Sequence, residues 1–421
     1  MNIAIIALGS RGDVQPYIAL GQGLKQAGHA VRLVTHQNFE TLVTSHGLEF
    51  WNMRGNVQDV VESPEMRELL EKGNFIAITM RTAKEAERAA VQWAEDGLAA
   101  SQGMDLLIAG IGSSFISLAL AEKLNLPVLQ TYLVPFTPTK NFPSALLPQS
   151  LKLGGAFNRL SHQLTRQMMW QGSRSSDTLS RRQVLGLPPA SFLGPFDSVH
   201  LKNLPTLYAF SPSVIPPPTD WSAADHVTGF WFLDSADDWT PPADLLDFLQ
   251  AGPAPIYIGF GSMTTRKPEE TTDLVVQALK ETNQRAILLS GWGGLQKQHL
   301  PDSVFMSDSI PHAWLFSHVS AVVHHGGAGT TAAGLRAGVP SIVIPFFADQ
   351  PYWGGRVADL GVGPAPIPRK ELTATQLAQA IQVAVTDRSM RQRAAELGKK
   401  IQAEDGIARA VEVIQQINKR G

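Results

Sequence analysis

Short apolar runs rich in β-branched residues alternate along this chain with longer segments that are apolar on one face only, and glycine or proline marks most of the joins. Residues 3–8 form the first such run, followed by the turn Gly9-Ser10-Arg11-Gly12-Asp13. Beyond it Pro16 falls in the first turn of a predicted helix, and Tyr17, Leu20, Leu24 and Ala27 share its inner face. Gly28 ends that helix ahead of a second run at 30–35. A strand, helix and strand so closely joined predict a right-handed crossover within a parallel sheet. The rhythm continues through runs at 48–53, 106–110 and 128–133, with an amphipathic helix over 81–100. It restarts at 256–259, with a helix over about 268–283 and runs at 286–290, 304–306, 320–323 and 341–345. Closing helices run from 375 to 419. The pattern specifies an α/β protein of two Rossmann-like, doubly wound domains facing a cleft.

Two stretches break the rhythm. In residues 135–175, Pro135, Pro138, Pro143 and Pro148 punctuate an apolar stretch holding Phe136, Phe142, Leu146 and Leu147, before Met168, Met169 and Trp170. An excursion of this kind after a strand's C-terminal end is where open α/β sheets take ligands. Phe136, Phe142, Met168, Met169 and Trp170 are expected to wall a pocket for a hydrophobic molecule, the alternative being a surface loop packed on its own domain. A second proline cluster, within 211–244, reads as an interdomain linker. The expected division is an N-terminal domain over 1–215, a linker over 216–240, a C-terminal domain over 241–403 and a last helix over 404–421.

At 421 residues the chain exceeds one ordinary core, and with 44% apolar and 17% charged residues both domains can bury substantial ones. A formal net charge of −2 gives no electrostatic footprint for nucleic acid. With no cysteine, disulfide and thiolate chemistry are excluded, which fits a reducing compartment. The chain starts directly on a strand, without the basic and cleavage regions of a signal peptide, and has no spanning run of 18 uncharged apolar residues. A soluble, cytoplasmic protein is expected.

The chemistry concentrates in His324-His325-Gly326-Gly327-Ala328-Gly329-Thr330-Thr331, between the run at 320–323 and a helical segment that Gly338 and Pro340 end. A strand, a glycine turn and a helix N-terminus aim unpaired amides at one point, so the stretch is built to take a phosphate, with the two threonine hydroxyls as added donors. The plainer alternative is a tight turn in which the glycines only relieve strain. Adjacent histidines in a strand point to opposite faces and no third ligand stands nearby, so no metal is expected. Gly9 to Gly12 and Gly261-Ser262 follow the first strands of their halves and are expected to supply further donors. Asp349 and Gln350 follow the last strand; a carboxylate beside a carboxamide suits sugar hydroxyls, while Asp349 also stands where a helix N-cap would. Asp13 is open to two roles, capping its helix or acting as general base, and the helix dipole is expected to lower its pKa.

Gly9 to Pro16, together with Ile310-Pro311-His312, His324 to Thr331 and Asp349-Gln350-Pro351, resembles the family 1 nucleotide-sugar glycosyltransferases, and within them the sterol 3-β-glucosyltransferases and glycopeptide-antibiotic glycosyltransferases. The resemblance covers essentially the whole chain, most strongly residues 1–36 and 304–365. It implies a GT-B fold with the donor held mainly by the C-terminal domain, and a last helix crossing back onto the N-terminal one. It implies that His325 contacts the diphosphate, with Gly327, Gly329 and Thr330 following on the helix N-terminus. Asp349-Gln350 would bind the donor sugar, and Ile310 would pair with the nucleobase through its backbone. The family's stacking tryptophan just before Ile310 is Ser309 here, and Trp292 is the substitute base contact. Ser10, Arg11, Gly12, Gly261 and Ser262 complete the expected donor set, and Asp13 is the implied base of a single inverting displacement without a metal or other cofactor. The expected substrates are a nucleotide sugar, UDP-glucose foremost, and a hydrophobic acceptor such as a sterol, which leaves peripheral membrane contact open. The alternatives are a polyketide, phenolic or glycopeptide acceptor with a UDP- or dTDP-sugar, a non-catalytic nucleotide-sugar binder, which would not need Asp13, and an epimerase of the same fold.

Overall fold

A computed structural model of the chain describes residues 1–56, 59–60, 63–72, 75–147, 154–196, 205–234, 239–261, 268–291, 295 and 300–418. Contacts divide the chain into one unit of Met1–Val60, Ile76–Leu233 and Asp405–Gly421, and a second of Val61–Phe75 and Asp234–Glu404.

Among the described residues the first unit holds a seven-stranded sheet in the order β3-β2-β1-β4-β5-β6-β7. Its strands are β1 (Asn2–Ile6), β2 (Ala30–Thr35), β3 (Glu49–Asn52), β4 (Leu106–Ala109), β5 (Val128–Tyr132), β6 (Thr206–Tyr208) and β7 (Asp225–Val227). Neighbouring strands pair in parallel throughout. Ile3 and Ile5 pack one face with Leu20, Leu24 and Leu33, while Ala4 and Ile6 pack the other with Leu107, Leu118 and Leu120. A strand buried on both sides must be apolar at every position, which is why these runs do not alternate. The first of those two cores also contains Ala410, Val411, Val413 and Ile414 of the helix Gly406–Asn418.

The stretch 216–240, expected as a linker, contains a strand. β7 lies within it, pairs with β6, and so completes the sheet, and the first unit runs on to Leu233. The 135–175 stretch also differs from a continuous excursion, because Gly155–Ser180 is one 26-residue helix.

The second unit's sheet has the order β10-β9-β8-β11-β12, with β8 (Ile256–Gly259), β9 (Ala286–Leu289), β10 (Val304–Ser307), β11 (Ala321–His324) and β12 (Ser341–Val343). All pairs are again parallel. In each sheet the chain winds outward one way and then the other, and the reversal falls between β1 and β4 in the first and between β8 and β11 in the second. Loops leaving the C-terminal ends of strands at such a reversal splay apart and leave a crevice for a ligand. No helix among the described residues is long and apolar enough to cross a membrane.

Candidate active site

The crevice of the second unit is bordered by the turn after β8 and the turn after β11. His324 ends β11 fully buried, and its Nδ1 accepts the N–H of Gly326 at 3.1 Å. Gly326 adopts φ +91°, and a Cβ there would meet Val343 Cγ1 at 2.7 Å and the Gln350 carbonyl oxygen at 3.0 Å. Gly327 caps the helix Ala328–Ala337. The first-turn amides of a helix have no partner within the helix, so this end is where an anion would be held. A Cβ on Gly327 would sit 2.4 Å from His325 Nε2, and one on Gly261 would sit 2.9 Å from His325 Cε1. The His325 ring is therefore seated between the two turns by residues that lack side chains. Gly329 is the opposite case, since a Cβ there would meet nothing within 4 Å. That open space lies at the first turn of the helix, where a phosphate would approach.

His325 Nδ1 is buried and has no hydrogen-bond partner among the described residues. Burial pushes its imidazole down to about 4, and burial also holds His324 well below the usual histidine range, so both rings are neutral at pH 7. The two expected threonine donors behave differently. Thr331 is fully buried and its hydroxyl donates to the Gly327 carbonyl at 2.9 Å, so it ties down the helix start, while Thr330 remains half-buried on the turn.

The loop after β12 lies against this turn through Gly326 and Gln350. Gln350 is buried, and its Oε1 accepts the N–H groups of Phe346 at 2.7 Å and Phe347 at 3.2 Å. Asp349 occupies the N-cap position of the helix Gln350–Asp359 but makes no side-chain cap bond. Its Oδ2 instead accepts the indole N–H of Trp353 at 2.9 Å. Ala348, just before it, is held at φ +57°, a left-handed conformation that costs a residue with a Cβ roughly 1–2 kcal/mol. Ile310 is buried beside Tyr257, Leu315 and Phe316, which fixes its side chain in the core. Ser262, Trp292 and Pro148 lie outside the described residues.

In the first unit Asp13 stands on the third residue of the helix Arg11–Gln26 and closes a capping box with Ser10. Ser10 donates to Asp13 Oδ2 from its N–H at 2.8 Å and from its hydroxyl at 2.9 Å. The carboxylate lies over Gly9, where a Cβ would fall 2.3 Å from Oδ2. Burial raises the Asp13 carboxyl above the usual carboxylate range, against the downward pull of the Ser10 bonds. The expectation of a pKa lowered by the helix dipole is thus reversed: desolvation wins. Arg11 and Gly12 are exposed, and Arg11 Nε donates to Gln15 Oε1 at 3.2 Å.

The five expected pocket residues do not share one wall. Trp170 is fully buried, packs on Phe115 with ring centroids 5.2 Å apart, and donates its indole N–H to the Phe192 carbonyl at 2.9 Å. Truncating it would cost about 3–5 kcal/mol of stability, so it is a core residue. Met168 lies two residues before it on the helix and is 41% exposed, Met169 is half-buried, and the half-buried Phe142 lies 6.1 Å from the His162 ring. Of the five, Phe136 does line a cavity, of about 200 Å³, with Tyr132, Pro138, Arg166, Phe196 and Thr206 among the other residues around it. Arg166 stacks its guanidinium 4.3 Å over Phe196, and its buried Nε has no partner among the described residues. The sequence reading passed over Arg166. Its one visible signal is a cation placed two residues before the run Met168-Met169-Trp170. No cluster of three or more histidine, aspartate or glutamate side chains among the described residues could hold a metal ion.

Two parallel α/β units with these topologies define the GT-B glycosyltransferase fold. Solved structures agree: the calicheamicin glycosyltransferase CalG4 matches with a TM-score of 0.70 at 18% identity, over 100% of this chain and 99% of that one. The SsfS6 glycosyltransferase of Streptomyces sp. SF2575, complexed with thymidine diphosphate, matches at 0.66 and 18% identity, over 99% of each chain. Residues 3–143 match the glycosyltransferase family 28 N-terminal domain, and residues 273–418 match the C-terminal domain described as erythromycin biosynthesis protein CIII-like. A sterol 3-beta-glucosyltransferase of Arabidopsis thaliana is 38% identical over 98% of this chain and 64% of its own length. One from Pichia angusta is also 38% identical, over 98% of this chain and 33% of its own length. The chain thus spans about a third to two thirds of these relatives.

Proposed function

We propose that this protein is an inverting glycosyltransferase that moves a hexose, most simply glucose from UDP-glucose, to a hydroxyl of a hydrophobic acceptor such as a sterol, forming a β-glycoside. The observation that carries this reading is 38% identity to a sterol 3-beta-glucosyltransferase over 98% of the chain, in a sequence that has both the glycine turn at 326–329 and Asp13.

In the proposed reaction Asp13 takes the proton of the acceptor hydroxyl. The two bonds from Ser10 both fall on Oδ2, which leaves Oδ1 for this task. The raised pKa strengthens it as a base. The acceptor oxygen attacks the anomeric carbon from the side opposite the diphosphate, the bond from that carbon to the diphosphate oxygen breaks, and its electron pair leaves with the diphosphate. The amides opening Ala328–Ala337 and the His325 ring receive that charge, and because folding has already oriented them they need no reorganisation during the step. Asp349 and the Gln350 amide hold the sugar, and the Ile310 backbone the base, which leaves the donor as the only co-substrate.

One observation favours a different acceptor. The cavity beside Phe136 holds about 200 Å³, below the usual ~300–1,000 Å³ of ligand pockets, and its Arg166 and Thr206 are polar. A phenolic or polyketide alcohol suits it better than a four-ring sterol, with a UDP- or dTDP-sugar as donor.

A membrane partner has support in the helix Gly155–Ser180 of the first unit. Leu160, Leu164 and Met168, spaced by four, are 41–48% exposed, and Phe192 and Leu193 are 61% and 68% exposed. From 155 to 176 the helix carries Arg159, Arg166 and Arg174 and no acid. Apolar side chains with cations and no carboxylates fit an anionic membrane surface, here taken as the cytoplasmic one.

The test is a screen of UDP- and dTDP-sugars against sterols, phenols, polyketide alcohols and simple sugars, with nucleotide release as readout and mass spectrometry of the products. Nucleotide release with a β-glycoside of a hydrophobic alcohol supports the reading. Donor binding without transfer to any acceptor would reduce the protein to a nucleotide-sugar binder, and preference for simple sugars would remove the hydrophobic acceptor.

A further inference from the structure

His324 is buried completely, yet it is not placed to touch a ligand as its neighbour is. A leucine there would fill similar space without burying polar nitrogens. The imidazole instead spends Nδ1 on the Gly326 N–H, at 3.1 Å, and leaves Nε2 without a partner among the described residues. Because Nδ1 accepts, the ring's proton lies on Nε2. A polar side chain kept in the core with one nitrogen unused points to the other nitrogen as the reason for its presence.

We infer that His324 is a positioning residue for the donor site: by accepting the Gly326 amide it fixes the glycine turn that carries His325 to the diphosphate. The bond closes a short ring from the end of β11 to the second residue beyond it, and so holds the chain reversal that occurs at His325. Gly326 is pinned in its left-handed conformation against Val343 and Gln350, and Gly327 then lies directly beneath the His325 ring. Loss of the acceptor would leave a buried N–H unpaired, and the turn would relax to find it a partner. His325 would move with it. The inference rests on the donor reading above, since it assigns a role in holding the diphosphate.

The two nitrogens of histidine can be mimicked separately. Asparagine places its carbonyl oxygen where Nδ1 stands, whereas glutamine reaches the position of Nε2. His324→Asn, His324→Gln and His324→Leu are made in the full chain, and the dissociation constants for UDP and TDP are measured by calorimetry. The expected result is His324→Asn within about 3-fold of wild type, and His324→Gln and His324→Leu weaker by roughly 10-fold or more, the size of one lost buried hydrogen bond. Equal affinity in the wild type and the leucine variant, or asparagine as poor as leucine, overturns the positioning role alone. A wild-type protein that binds neither diphosphate removes the donor reading, and this role with it. Should the variants fail to fold, nitrogen-15 spectra of the wild-type imidazoles decide: a proton on Nε2 that persists through pH 5 is expected, and a proton on Nδ1 overturns the inference.

Discussion

Gly327 lies so close under the His325 ring that a Cβ on it would sit 2.4 Å from Nε2. The pair sets the position of the imidazole that faces the phosphate turn, and it gives a direct test of that turn. Gly327→Ala should displace the ring and raise the dissociation constant for UDP by about 10-fold or more, since small misplacements in a preset site are costly. Gly329→Ala meets nothing within 4 Å beyond its own stretch of helix, so its melting temperature should be no lower than that of wild type. Any loss of UDP affinity in that variant then reports a clash with the ligand. Unchanged affinity in both variants, measured by calorimetry, would move the phosphate elsewhere.

Asp13→Asn should lower kcat by roughly 10²–10⁴ and leave donor binding nearly intact, because a base acts only in the transition state. Single-turnover rates and donor titration separate the two effects. A variant that kept more than about a tenth of wild-type turnover would end the assignment.

The same substitution has a stability consequence. The folded-state pKa of Asp13 lies above the unfolded value, so the native state binds its proton more tightly and loses stability as pH rises through that window. An asparagine side chain at this position cannot ionise. Asp13→Asn should therefore melt at least as high as wild type at pH 7, with the difference shrinking as pH falls toward 4. Melting curves across pH check the sign, and a variant less stable at pH 7 than at pH 4, relative to wild type, contradicts it.

His162, His324 and His325 are all held below the ordinary histidine pKa by burial, His162 and His325 to about 4. Their unfolded forms take up protons near pH 6.5 while the folded forms do not, so stability is present above that pH and falls as pH drops toward 4. Bound diphosphate should favour the charged His325 ring. Calorimetry of UDP binding in buffers of different ionisation enthalpy should then show net proton uptake at about pH 5.5–6.5, and His325→Gln should abolish it. Uptake that survives in the variant would assign the proton to another group.

Leu164→Glu with Met168→Glu places two carboxylates in the exposed stripe of Gly155–Ser180, without touching the buried Trp170. Sedimentation with vesicles containing anionic lipid should fall at least several-fold for the double variant and be weak for neutral vesicles with either protein. Equal sedimentation of both proteins would discard this helix as a membrane contact.

The pattern of apolar runs was enough to find both parallel sheets, because strands covered on both faces must be apolar throughout. It failed at β6 and β7, which have three residues each and sit among prolines: too short to show any period, they escaped notice, and β7 fell inside the expected linker. The strand, glycine turn and helix over 321–337 were legible because glycines marked the joint between an apolar run and a helical segment. What the sequence left open was direction. Thr330 and Thr331 are adjacent hydroxyls, yet only Thr331 turns inward to Gly327. Met168 and Trp170 are two residues apart, and the helix sends one to solvent and the other into the core. The pKa of Asp13 escaped for a related reason, since a dipole can be anticipated from a helix start, whereas desolvation depends on what packs around the carboxylate.

The helix Gly406–Asn418 completes the core begun by β1 with Ala410 and Ile414, although the stretch Asp234–Glu404 of the second unit lies between them in the chain. During synthesis the ribosome must release all of that intervening stretch before the first unit can close its apolar face. Folding from the N-terminus onward, the usual order for chains of several domains, is therefore unavailable here. The second unit can finish first, while the nascent first unit waits with an uncovered sheet and a need for chaperone protection that a contiguous domain would not have.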